Sequence, residues 1–230
     1  MSITESDLVL NLDAFVKDTC KDRDESHGYT HMKKVYENTL TILNMINFSE
    51  YQLDIYEINN VRKLSIISSW LHDVFDYKYD TNGILKKKCA LFMEKKLLID
   101  KNNIDLIINI IDRISFSKQV YMMKTNGFLD WDIVLGKNGT LIRNIVSDAD
   151  KMESLGKIGM DRCIIYKKEM YYKRYGSEIS IDQLKEIIYT YSKTRMLILY
   201  PSYIMTNPGK ILCKPLYEEF CTLLEDFVKK

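Results

Sequence analysis

Only three histidines occur in this 230-residue chain, and each stands beside another ligand-type residue. His27 and His31 fall in Ser26-His27-Gly28-Tyr29-Thr30-His31, and His72 falls in Leu71-His72-Asp73. Imidazole ligates divalent metals and moves protons near neutral pH, so so few histidines placed this way point to chemistry. A later acidic motif, Ser147-Asp148-Ala149-Asp150-Lys151-Met152, supplies carboxylates that would complete a mixed nitrogen and oxygen site. Such a donor set suits Mn, Fe, Zn, Co or Ni.

Spacing limits which of these groups share one ion. His27 and His31 are four residues apart, which on a helix stacks them on one face with Cβ atoms about 5–6 Å apart. Gly28 sets a helix start nearby, so His27 sits at or before the N-cap. His72 and Asp73 diverge by about 100° on a helix, so both reach one ion only at a helix end or beside a kink. Asp148 and Asp150 are two apart, and at most one faces that point.

The elements that must carry these residues read as helices. Val35, Leu40, Leu43 and Ile46 follow the His pair at helical intervals, and Leu64, Ile67, Trp70 and Leu71 lead into His72. Ala90 to Leu98 and Ile104 to Ile111 predict two more helices. Others are predicted near 139–151, 160–174, 181–199 and 210–229, with Asp182 and Asn207 to Gly209 as entry signals. No stretch alternates with hairpin turns, so the fold class is all-α. Residues 118–139 are the least periodic, with Gly127, Gly136 and Gly139, and are predicted to be a loop with room for a lid. No repeat or linker divides the chain, so one domain over 1–230 is expected.

Composition narrows the function classes. The formal net charge of +1 argues against broad binding to nucleic acid or an anionic membrane. It leaves room for a small basic pocket of the size a nucleotide phosphate needs. Five cysteines, odd in number and without Cys-x-x-Cys spacing, read as reduced and buried thiols. No secretory leader is visible, and no run approaches the ~20 apolar residues of a membrane span. Cytoplasmic location is the expectation.

The motifs also resemble a known family. His31, His72-Asp73 and Asp150, in that order, look like the H…HD…D signature of the HD-domain superfamily of metal-dependent phosphohydrolases. Ser-His-Gly-Tyr-Thr-His-Met-Lys-Lys-Val (26–35) is similar to the first motif of its small nucleotide-acting members, and Trp-Leu-His-Asp-Val-Phe-Asp-Tyr-Lys (70–78) to the second. Ile-Ser-Phe-Ser-Lys (114–118) resembles an intermediate motif. The segment from Ser147 to Gly159, followed by Arg162, resembles the last. The resemblance implies an HD-domain helical bundle with a motif core at about 26–162 and C-terminal helices at 163–230.

It further implies His31, His72, Asp73 and Asp150 as ligands of one divalent ion (Mn, Fe, Co, Ni, Zn or Mg). The additional histidines of two-metal members are absent between the central pair and the last Asp. The expected activity is hydrolysis of a phosphate ester or anhydride of a nucleoside tri- or diphosphate by a metal-activated water. Alternatives are a phosphodiesterase or phosphatase acting on a cyclic or non-nucleotide ester, or a catalytically weak nucleotide-binding protein. His27 and Asp76 are candidates for proton management, with Asp148 behind them, and Lys78, Lys118, Lys151 and Arg162 for phosphate contact. Each has a structural alternative: His27 as a cap or ligand-orienting residue, Asp76 as a partner of Lys78, the lysines as solvated charges, and Arg162 as a pairing residue within a helix.

Overall fold

A computed structural model describes residues 3–23, 27–126 and 130–229. Ser26 and Gly127, named above, lie outside the described residues. All regular structure among the described residues is helical, as the apolar spacing predicts. The chain falls into two compact units, residues 1–149 and 150–230.

The first unit opens with α1 (Glu5–Thr19), which the sequence reading did not mark. Thr4 caps it by accepting from Asp7 N, and Leu8, Leu12 and Val16 make its buried stripe at intervals of four. α2 (Tyr29–Met45) follows, then a 3₁₀ turn at Phe48–Tyr51 and α3 (Ile55–Leu71). A capping box between Asp54 and Glu57 starts α3. Every residue from Leu64 to Leu71 is buried, serines included, because α1, α2 and α5 surround the helix. α4 (Ile84–Lys95) and α5 (Lys101–Ile111) pack on each other, with Asp100 capping α5.

The predicted 118–139 loop is largely helical instead. α6 (Phe116–Asn126) and the start of α7 (Asp132–Met152) occupy it. Of its glycines, Gly136 breaks the α7 path with φ 65 and ψ 169. Gly139 is not a breaker: a Cβ there would stand 2.9 Å from Leu135 Cβ and 3.0 Å from Leu106 Cδ1. It is small because the turn before it in α7 and Leu106 of α5 both crowd the position. Beyond it, Leu141 to Ala149 are buried apart from Asn144, making α7 an internal helix.

In the second unit, α8 (Gly156–Tyr175) packs on α11 (Asn207–Lys229) and on α9 (Ile181–Tyr191). The helix predicted over 181–199 is split, because a π-turn at Ser192–Met196 separates α9 from the short α10 (Leu199–Tyr203). Ser180, two residues before the anticipated signal at Asp182, is the N-cap of α9. α11 begins where expected, with Thr206 Oγ1 accepting from Gly209 N at 2.9 Å. No described helix is long and apolar enough to cross a membrane.

Candidate metal centre

Three helices deliver the ligand-type residues. His31 is the third residue of α2, His72 caps the C-terminus of α3, and Asp150 lies in the last turn of α7. The division between the units falls inside that turn, so Asp150 rides on a helix rooted in the first unit. Both histidines are 6% exposed. One ligand atom from each of His31, His72 and Asp150 lies within 4.8 Å of the others, which forms a site for a single divalent cation.

The protonation chemistry fits that occupant. His72 Nδ1 stands 2.8 Å from the Ser69 carbonyl oxygen, which only accepts, so Nδ1 carries the hydrogen. In neutral His72 the lone pair is then on Nε2, and Nε2 faces His31 Nε2 at 3.2 Å. Two nitrogens each about 2.0–2.1 Å from one ion, at an angle of about 90–110°, stand about 2.9–3.4 Å apart. The imidazoles therefore already have the separation that one shared ion requires. His72 and Asp150 also sit at helix C-termini, where carbonyl dipoles favour positive charge.

Asp73, outside that three-residue group, lies beside the two imidazoles at the helix end, where adjacent residues can both turn inward. α3 stops at Leu71, and Val74 N bonds back to Leu71 O at 3.1 Å. Asp73 Oδ2 lies 3.8 Å from His31 Nε2 and 3.7 Å from His72 Nε2. Asp148 takes another direction. It is fully buried, and its charge opposes the effect of burial on Arg143, which desolvation pulls down to about 10.

His27 precedes α2, as Gly28 implied, and its Nε2 is 3.4 Å from Lys78 Nζ. Asp76 shapes the turn after α3: Oδ1 accepts from Lys78 N at 3.0 Å, and its carbonyl accepts from Tyr79 N and Asp80 N. Lys118 pairs with Asp112 at 3.7 Å, beside Lys86 at 2.9 Å from the same carboxylate. Lys151 is 2% exposed and so is not a solvated charge. Arg162 Nη1 donates to the Glu153 carbonyl at 3.1 Å, holding the start of α8 to the chain before it.

Two supporting residues escaped the sequence reading. Arg23 donates from Nη1 to the Asp73 carbonyl at 2.8 Å and from Nη2 to the Val74 carbonyl at 2.5 Å. Its guanidinium lies 4.1 Å from the Tyr79 ring centroid. Asn38, two turns after His31 on the same face of α2, donates from Nδ2 to the Ala149 carbonyl at 3.2 Å. That bond fixes α2 to α7 one residue from Asp150. Tyr29 ties α2 to α1 through a 2.6 Å bond from its hydroxyl to Asp13, which with burial pushes the phenol up to about 12.

Fold and site together define an all-helical protein with a two-histidine, one-aspartate centre for a divalent cation. No family model and no curated protein matches the chain. Solved structures do. Bacillus subtilis YpgQ, crystallised in complex with ADP, is similar with TM-score 0.63 at 17% identity, over 99% of this chain and 96% of that one. The Lin1889 protein of Listeria innocua is similar with TM-score 0.63 at 17% identity, over 99% and 97%. A Lactobacillus plantarum protein has TM-score 0.64 at 18% identity, over 98% and 96%. At such identity the likeness is one of fold.

Proposed function

We propose that the chain is a metal-dependent phosphohydrolase of the HD-domain type, acting on a nucleoside tri- or diphosphate. One observation carries this reading: the motif residues His31, His72 and Asp150, remote in sequence, meet within 4.8 Å, with Asp73 beside both imidazoles. The ADP held by YpgQ supports a nucleotide as the ligand class. A bound divalent ion supplies Lewis acidity, polarising a phosphoryl oxygen and making water nucleophilic near neutral pH.

The chain's own residues have separate tasks in this reading. His31, His72, Asp73 and Asp150 hold the ion, with Ser69 fixing the His72 tautomer. His27, with Lys78 at 3.4 Å, places a proton acceptor and a cation together, suited to managing a water proton and steadying a phosphate oxygen. Asp76 orients Lys78 through its backbone amide. Lys118, Lys151 and Arg162 are assigned to phosphate contact with the existing partners as competitors.

The test is phosphate or pyrophosphate release from a nucleotide panel with Mn, Co, Mg, Ni or Zn, with cyclic nucleotides and sugar phosphates alongside. We expect metal-dependent turnover of a nucleoside di- or triphosphate. His72→Gln and Asp150→Asn should each lower it at least about a hundredfold, the upper range for lost metal support. Equal release by wild type and both variants removes the proposal, as does tight nucleotide binding without product.

A further inference from the structure

α8 is apolar on two opposite faces. Gly156, Gly159, Met160 and Cys163 are its buried side, and α9 and α11 are the helices it packs on. Ile158, Ile165 and Tyr172 are 53%, 57% and 60% exposed. Successive members of this set are seven residues apart, so each lies within about 20° of the one before it around the helix. The three form a stripe about 21 Å long. At about 100° per residue, Met160 and Cys163 lie about 160° around the helix from Ile158 and Ile165. The stripe therefore faces away from the side that the unit covers.

A helix covered on one side only is ordinarily polar on the other. Between the apolar positions of this stripe stand Asp161 and Lys168, three residues after Ile158 and Ile165 and themselves exposed. They occupy the second position of the same seven-residue repeat. Asp161 holds Lys157 at 2.5 Å, an exposed pair that contributes little and exchanges partners easily. The signs at the second position decide what fits. A parallel copy of α8 in register would set Asp161 on Asp161 and Lys168 on Lys168. An antiparallel copy reverses the order. Lys168 of each copy then comes against Ile165 of the other, within a lysine's reach of Asp161 one turn away, and a two-fold axis makes this contact twice. The stripe is complementary to itself, whereas an acidic or a basic peptide would match only one of its two charges.

We propose that the outer face of α8 is a self-association surface, on which α8 of a second copy lies antiparallel about a two-fold axis. Ile158, Ile165 and Tyr172 form its apolar seam, and Asp161 and Lys168 set its direction. A single pair of helices buries less than a standard stable interface, so the association is weak and depends on concentration. The proposal is independent of the metal centre and of the hydrolase reading.

Sedimentation of the full chain from about 10 μM to about 1 mM, the range suited to a small interface, should show monomer passing into dimer. Ile165→Lys sets a lysine against Lys168 of the other copy and should weaken the dimer about tenfold or more. Asp161→Lys and Lys168→Asp each spoil the opposite-sign contact twice per dimer and should each weaken it about 2–30-fold. The double exchange, Asp161→Lys with Lys168→Asp, should recover most of that loss. A parallel pairing would answer differently, because either single change leaves like charge facing like. The substituted side chains are exposed, and thermal unfolding with metal loading of the cluster reports that the variants remain folded. A monomer at every concentration overturns the proposal, and cosedimentation of that monomer with phosphatidylglycerol vesicles, lost in Ile165→Lys, would assign the stripe to a lipid surface instead. A dimer indifferent to Ile165→Lys, or a double exchange no stronger than the single ones, overturns it as well.

Discussion

At the scale of single residues, the metal centre divides into groups that bind and groups that aim. The binders were legible because ligand-type residues are scarce: with three histidines in the chain, each invites a chemical account. The aiming groups were not, because they act through main-chain carbonyls that any residue type possesses. Arg23 is one of thirty-three Lys and Arg, and nothing in its neighbours announces that its two nitrogens will hold the Asp73 and Val74 carbonyls. Its fork is nonetheless what anchors the turn carrying His72 and Asp73. Arg23→Gln should therefore lower affinity for Mn or Zn by about 10–100-fold, the usual effect of removing an outer partner. Arg23→Lys should fall between, keeping the charge but not the planar fork. Calorimetric titration of each variant, with thermal unfolding of the metal-free proteins as control, measures this. Wild-type affinity in Arg23→Gln would leave the guanidinium as a surface tether only.

At the scale of elements, glycine carried two meanings that the sequence does not distinguish. Gly136 does break its helix, with a left-handed φ of 65, whereas Gly139 and Gly159 are helical and small because neighbours crowd them. Reading the glycines of 118–139 alike as punctuation turned α6 and the entry to α7 into a predicted loop. The apolar stripes elsewhere were sound because helix periodicity survives whichever neighbour buries it, while close approach depends on tertiary packing. The two crowded glycines should respond differently to alanine. At Gly139 the Cβ meets side-chain atoms, Leu135 Cβ at 2.9 Å and Leu106 Cδ1 at 3.0 Å. The ~1 kcal/mol helix-propensity gain then offsets part of an overpacking cost of about 1–3 kcal/mol. At Gly159 the Cβ meets the Ser154 backbone, with its carbonyl oxygen at 2.2 Å and carbon at 2.3 Å, which cannot rotate away. Urea titration should show Gly159→Ala losing more stability than Gly139→Ala. Equal midpoints would mean that the turn at Ser154 yields as easily as a leucine side chain.

For the whole molecule, the buried thiols report on how metal binding spreads its stabilisation. Burial pushes Cys89 up to about 12, with the charge of Cys20 adding to it, and pushes Cys163 up to about 11. Near pH 8 Cys89 is therefore almost wholly protonated in the folded chain, and the thiolate is the reactive form. Because these folded values exceed the unfolded ones, their contribution to stability is complete below about pH 8.5. It is lost as pH climbs from there toward about 12 for Cys89 and about 11 for Cys163. Near pH 8, then, alkylation of either thiol measures opening of the structure around it. Cys89 belongs to the first unit, with His31 and His72, and Cys163 belongs to the second. A cation that binds only the folded centre at about a hundred times its dissociation constant adds ~2.7 kcal/mol. Where labelling of Cys89 requires the centre to come apart, this slows it about a hundredfold. Iodoacetamide labelling with and without Mn, resolved by peptide mass spectrometry, measures both thiols in one sample. We expect strong metal protection of Cys89 that His72→Gln removes, with Cys163 showing how far the same stabilisation reaches into residues 150–230. Cys89 labelling that ignores the metal would mean that α4 opens without disturbing α3, and that the helix carrying His72 is held by α1, α2 and α5 alone.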